Sequence, residues 1–437
     1  MRKVDTLIES RWILPIVPKG TVLHHHAIAV ENGRIIDVLP AAEAQARYEA
    51  IERVELPNSI VMPGFVNLHA HAAMNLVRGL GADLPLMDWL TQKIWPAEGK
   101  LMSPDFVREG SYLAGLEMAA GGITTASDHY FFPEDAASGL REAGLRCAVA
   151  GIVIGFPSAW AKSDEEYLEK AEAFIEAHRN DAWVRPTIGP HAPYTVSDHS
   201  LEKCAEISDR SDVPIHMHVN ETAVEVSGSL RDHGMRPIER LKRLGLLNSK
   251  LVAVHSVHAN ASDIAAMAEA GASMCHCPCS NLKLASGFAP IAEFFKAGVN
   301  VGIGTDGAAS NDKLDMLGET RLAAMLAKAV ASDTTAAPVH DMLEAATLGG
   351  ARALHWDDEI GSIEAGKFAD VIALDLSGVE CLPVQDPAAQ LLYAADRTCV
   401  THTWTAGRLI YSRGDSSAIA SQREKALKIA RKWQNRI

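Results

Sequence analysis

Four side chains stand out because imidazole and carboxylate are good ligands for a borderline divalent cation: His69 and His71 in HAH, His218 in PIHMHV, and Asp306 in GIGTDG. Three ring nitrogens and one carboxylate oxygen leave a coordination position open for water, as a catalytic ion requires and a structural one does not. Residues i and i+2 of a strand face the same way, so His69 and His71 can address one ion. An HxH pair alone is a weak signal, since surface or satisfied histidines are common. Four such residues ending separate apolar segments are harder to explain structurally, because a buried cluster of unpaired polar groups destabilises a core. Glu221, three residues after His218, is placed to shuttle protons; the competing reading is a solvated glutamate opening the next helix. His255 ends the segment LVAVH. It could hydrogen-bond the attacking hydroxide or the tetrahedral centre that follows, against the alternative of a satisfied core histidine. No lysine ends the fourth apolar segment, where a group bridging a second ion would stand, so one metal ion is expected. Nitrogen and oxygen ligands accept zinc, iron or manganese; Zn2+ is the expected ion.

Three other patterns are weaker. Gly302-Ile303-Gly304-Thr305-Asp306-Gly307 matches the dinucleotide signature GxGxxG, but it follows the last strand instead of opening a βαβ unit. Cys275, Cys277 and Cys279 alternate along one segment with no second cysteine pair to complete a tetrahedron, and they read as small core residues. The triplet His24-His25-His26 lies in an alternating stretch between Val22 and Val30, which reads as a solvated strand or turn.

The elements that must position the four ligands come from periodicity. VDTLIESRWILPI and HAIAVENGRIIDVLP read as strands, with Asn32-Gly33 as a hairpin turn, and Ala41 to Ile51 as a helix. From Gly64 the pattern becomes apolar strands alternating with amphipathic helices: GFVNLHAH, ITTASDH, RCAVAGIVI, VRPTIG, PIHMHV, LVAVHS, SMCHC and VNVGIGTD. Ser103-Pro104-Asp105 opens a helix that Gly121-Gly122 closes, and Ser163 opens another. Eight units over about 300 residues fit a (β/α)8 TIM-type barrel, whose strand ends converge on one mouth. After Gly366 strands return in FADVIALDL and THTWTAGRLIYSRG, followed by a helix from Ser421 to Trp433. The expected α/β architecture is therefore a catalytic barrel over 63–366 and a small β-sandwich domain built from both termini, 1–62 with 367–437.

The chain has 437 residues, 48% of them hydrophobic, enough for a large core. Its net charge of -14 opposes binding to a nucleic acid polymer. Seven cysteines without framework spacing suit a reducing compartment. The opening MRKVDTLIES lacks the apolar core of an export signal, and no run of about 18 apolar residues occurs. A cytoplasmic protein with no membrane contact is expected.

PGFVNLHAH, HVNE and GIGTDGAASND resemble the first-strand, fifth-strand and final-aspartate motifs of the amidohydrolase superfamily, over nearly the whole chain. NLVRGLGADLPLMDWLTQKIWPAE and GPHAPYTVSD are similar to the methylthioadenosine/S-adenosylhomocysteine deaminase group. The resemblance implies that His69, His71, His218 and Asp306 hold the metal, that Glu221 contacts the purine and that His255 sits beside the hydroxide, with Asp306 also moving a proton. It further implies that Glu98 binds the ribose hydroxyls and His191 lines the sugar pocket, roles that spacing alone does not suggest. The expected reaction is hydrolytic deamination of a small purine nucleoside, foremost 5'-methylthioadenosine, possible also for adenosine or S-adenosylhomocysteine, and the expected oligomer is a dimer. Ala150-Gly151 stands where an arginine before glycine is expected in members acting on adenosylhomocysteine, which favours an uncharged tail. Alternatives on the same scaffold are a guanine, pterin or triazine aminohydrolase and a cyclic-amide hydrolase. A cytidine-type deaminase would need H-x-E with P-C-x-x-C, and neither occurs. A catalytically silent binding protein would be expected to have lost ligands, and all four are kept.

Overall fold

The computed structural model describes residues 1–436. The chain opens with β1 (Arg2–Ile13), β2 (Leu23–Glu31) and β3 (Arg34–Pro40). The β2–β3 hairpin turns at Asn32 and Gly33, both at positive φ (52° and 76°), the backbone a two-residue type I′ turn demands. The following helix is shorter than its periodicity suggests. It runs Ala41–Arg47, and at Tyr48 the chain becomes β4 (Tyr48–Pro63), a long strand that the sequence reading did not single out. Tyr48 pairs in parallel with Arg2, so strand pairing with β1 overrides the helical preference of YEAI.

Eight parallel strands follow: β5 (Phe65–Ala70), β6 (Ile123–Asp128), β7 (Arg146–Val153), β8 (Val184–Pro190), β9 (Ile215–Val219), β10 (Leu251–His255), β11 (Ser273–His276) and β12 (Asn300–Ile303). They are hydrogen-bonded in chain order from β5 to β12. Helices cross between them with the expected signals: Ser103 accepts from Phe106 N at the start of Pro104–Ala120, which Gly121 ends, and Ser163 accepts from Glu166 N at the start of Asp164–Ala177. The seam between β12 and β5 is closed at the mouth. Asp306 N donates to His69 O (2.9 Å), and Asn67 exchanges bonds with Thr305, accepting from its N (2.9 Å) and donating to its Oγ1 (2.8 Å). This seam explains the GxG decoy. A Cβ on Gly302 would lie 2.4 Å from Leu68 Cδ2, and one on Gly304 would lie 2.9 Å from His69 N, so the glycines admit β5 instead of a dinucleotide.

The last strands are β13 (Val371–Asp375), β14 (Val400–Thr405) and β15 (Arg408–Ser412). With the first four they make one seven-stranded sheet, ordered β15-β14-β13-β4-β1-β2-β3, in which β4 joins the two ends of the chain. The expected sandwich is realised by this continuous sheet folding so that its ends share a core: Ile28, Val30 and Ile35 meet Val371, Ala373 and Trp404. Its other face packs on the barrel through Trp12, Ile60, Met62 and Ile372. The final helix, Ser416–Gln434, starts earlier than expected, with Asp415 capping Ala418 N. It lies on the Pro104–Ala120 helix, where Trp433 Nε1 and Lys432 Nζ both donate to Glu109. Among the described residues no helix is long and apolar enough to cross a membrane.

Candidate active site

His69 and His218 lie within β5 and β9 and His255 ends β10, whereas His71 and Asp306 stand beyond their strands. β5 ends at Ala70, one residue before His71, and β12 ends at Ile303, three before Asp306. Asp306 takes a left-handed φ of 61°, which swings its carboxylate over the rim towards the histidines. His69 is fully buried beneath, while His71, His218 and Asp306 reach a cavity at the mouth.

The three Nε2 atoms and the carboxylate gather closely. His69 Nε2 lies 3.2 Å from His218 Nε2 and 3.5 Å from Asp306 Oδ1, and His71 Nε2 lies 3.3 Å from the same oxygen. Opposite-side contacts fix the tautomers: His71 Nδ1 donates to His129 O (2.6 Å) and His218 Nδ1 to His191 O (2.7 Å). That leaves Nε2 of both rings without a proton and turned inward. Burial also lowers the His69 pKa to about 4 and depresses His71 and His218, so the imidazoles stay neutral. Lone pairs of two imidazoles turned inward beside a third ring and a carboxylate fit a divalent cation.

The remaining expected residues line the same cavity: Glu221, His255, Glu98 and His191. His255 Nδ1 is engaged by Asn281 Oδ1 (2.8 Å), which leaves Nε2 for the site. Glu221 is buried, and that burial raises its pKa, with Asp306 adding to it and His255 opposing it. Glu98 arrives from the helix Trp95–Leu101 and accepts a 2.5 Å bond from Tyr130; burial pushes its pKa up to about 7. His191 Nδ1 meets Thr195 Oγ1 (2.9 Å), and burial lowers its pKa to about 3.

Several participants are not visible from the sequence. Ser280 and Ser310 donate to Asp306 Oδ2 (2.6 and 2.9 Å), and Asp128 accepts Ala72 N, steadying the turn after His71. Tyr130, Asn281 and the apolar wall of Trp89, Trp95, Phe156, Ile152 and Ile154 were likewise missed. Only the run WPAE hinted at that wall, because aromatic residues beside a carboxylate are common in ligand sites. Ala150 does not front the cavity. A Cβ on Gly189 would lie 2.7 Å from Ala150 Cβ and one on Gly151 would strike Ala171, so Ala150 points into the barrel below the mouth. β7 reaches the cavity at Ile152, and no Lys or Arg lines the cavity among the described residues.

The decoys fall outside this centre. His24 and His25 are exposed on β2, and Cys275 and Cys277 are buried with sulfurs 4.0 Å apart.

Residues 60–410 match the model of the Amidohydrolase family. A 5-methylthioadenosine/S-adenosylhomocysteine deaminase of Teredinibacter turnerae is 39% identical over 434 residues, 99% of this chain and 98% of that protein. An adenosine deaminase of Xanthomonas campestris, crystallised with bound zinc, is 46% identical; the match covers 100% of this chain and 99% of that one, with a TM-score of 0.96. An atrazine chlorohydrolase of Arthrobacter aurescens, 22% identical with a TM-score of 0.90 over 97% of this chain and 100% of that one, shares the fold. The chain thus belongs to the amidohydrolase family, in the company of relatives named 5-methylthioadenosine/S-adenosylhomocysteine deaminases.

Proposed function

We propose that the protein hydrolytically deaminates an adenine nucleoside, foremost 5'-methylthioadenosine, with one zinc ion held by His69, His71, His218 and Asp306. The observation that carries the reading is the gathering of the Nε2 atoms of His69, His71 and His218 beside Asp306 Oδ1 at the floor of a cavity that Glu221, His255 and Glu98 also line. The names of relatives at 39% and 46% identity support the same reaction. The bound ion supplies Lewis acidity that makes a water nucleophilic near neutral pH.

Asp306, steadied by Ser280 and Ser310, takes one proton from the attacking water. Glu221, whose burial favours the neutral acid, gives its proton to the ring nitrogen beside the amine-bearing carbon. With Nδ1 held by Asn281, His255 offers Nε2 first as acceptor to the water's remaining proton and then, once protonated, as donor to the oxygen on the tetrahedral carbon. Asp306 passes its proton to the departing amine, which leaves as ammonia. The proton taken from the new hydroxyl returns to Glu221, and the product is the inosine analogue. Glu98, with one oxygen fixed by Tyr130, presents the other to the ribose hydroxyls, and His191 lines the sugar pocket.

The apolar wall and the lack of a cation favour an uncharged 5' substituent over an amino-acid tail. On metal-loaded protein, kcat/KM for 5'-methylthioadenosine should exceed that for S-adenosylhomocysteine by about tenfold to a hundredfold, the worth of one charge-assisted hydrogen bond. Ammonia release across nucleosides and free bases tests the reading as a whole: turnover confined to guanine, a pterin or a triazine would replace it. Chelation should abolish turnover and lower the melting temperature, with zinc restoring both. A dimer and a cytoplasmic location, the latter consistent with seven free thiols, complete the reading.

A further inference from the structure

In HVNETAVE a second glutamate follows Glu221, and its carboxylate lies outside the cavity that Glu221 lines. β9 ends at Val219, Asn220 turns the chain with φ of 55°, and Thr222 caps the helix Ala223–His233 by accepting from Glu225 N (3.1 Å). In an ordinary capping box the carboxylate at the third helical position returns to the N–H of the cap residue. Glu225 reaches further back. Its Oε1 accepts from Asn220 N and its Oε2 from Glu221 N, both at 2.8 Å, and the residue is buried. Both oxygens are thereby occupied by consecutive N–H groups of the turn that carries Glu221. Placing a buried carboxylate beside a second one is unfavourable unless such donors hold it, so this arrangement is a specific geometry and not generic capping. The turn is fixed from its other side as well, by His258 N donating to Asn220 O (2.9 Å) and by Asn220 Nδ2 meeting Asp263 Oδ2 (3.3 Å).

We propose that Glu225 is a positioning residue for the deamination: its carboxylate clamps the Asn220–Glu221 backbone and so sets where the Glu221 carboxyl meets the purine ring. The inference rests on the proposed role of Glu221. Glu225→Gln keeps the shape but leaves one acceptor and turns an NH2 group against an N–H. In zinc-loaded protein with 5'-methylthioadenosine, kcat should fall about tenfold to a hundredfold while KM and zinc content hold. Glu225→Ala should fall further. The double variant Glu221→Gln/Glu225→Gln should be no slower than Glu221→Gln alone, because a positioner has nothing left to position. Amide exchange in the 216–226 peptide should quicken in Glu225→Gln.

Wild-type kcat in Glu225→Gln, losses that multiply in the double variant, or unchanged exchange would each overturn the proposal; a plain helix cap would lower stability without coupling to Glu221. Full turnover by Glu221→Gln would instead refute the reading of Glu221 itself, and the exchange measurement would still judge the clamp.

Discussion

The histidines of this site are distinguished less by being histidines than by what their far nitrogens touch. His71 and His218 give Nδ1 to backbone carbonyls and His255 gives it to Asn281, so each ring is set in orientation and tautomer before any ligand arrives. Asn281→Ala should therefore lower kcat about tenfold to a hundredfold with zinc content unchanged, as metal analysis beside steady-state rates would reveal. His276 offers a contrast: it is buried on β11, its Nδ1 has no partner, and burial lowers its pKa to about 3. A histidine depressed in the folded state stabilises fully above its unfolded value near 6.5 and loses that contribution as pH falls towards the folded value. Wild type should consequently lose about 1.4 kcal/mol per pH unit below 6.5 through this residue. His276→Gln should flatten the acid limb of the urea-unfolding profile by that slope, and an unchanged limb would count against the assignment. The four side chains that the structure gathers, His69, His71, His218 and Asp306, were legible from residue types and spacing. Asn281, Ser280, Ser310 and Tyr130 were not, because a serine or asparagine after an apolar strand looks the same whether it braces a carboxylate or faces water.

At the scale of elements the β12–β5 seam has a double task, closing the barrel and bringing Asp306 to His69. Gly304→Ala would place a methyl group 2.9 Å from His69 N and Cβ, against backbone that has no room to give. A cost of about 1–3 kcal/mol in unfolding free energy is expected, with weakened zinc retention because the ligand strand itself must shift. Normal stability and metal content in that variant would show that the seam is slacker than its contacts imply. The eight strands and several helix starts followed from alternation and capping residues such as Ser103 and Ser163. The ends of the strands did not, since His71 and Asp306 leave the ladder where the rim forces a turn.

Across the whole molecule, one buried ion pair joins the barrel to the terminal sheet. Arg146, opening β7, binds Asp370 through Nε (3.0 Å) and Nη2 (3.3 Å), with Phe368 and Trp356 beside the guanidinium and Ala406 N donating to the same carboxylate. Arg146→Met strands a buried charge and should cost about 3–5 kcal/mol, whereas adding Asp370→Asn should recover much of the loss by removing that charge; denaturant titration of both variants checks it. The sequence by itself determined which imidazoles and carboxylate could gather, the α/β repeat and the pairing of the two chain ends, because those depend on alternation, capping and side-chain chemistry within a few residues. Tertiary structure alone decided that β4 joins the two ends of the sheet, that Ala150 lies below the cavity, and which group steadies each polar side chain at the mouth. Those outcomes hang on contacts such as Asn67 with Thr305, 238 residues apart, which exist only once the barrel has closed.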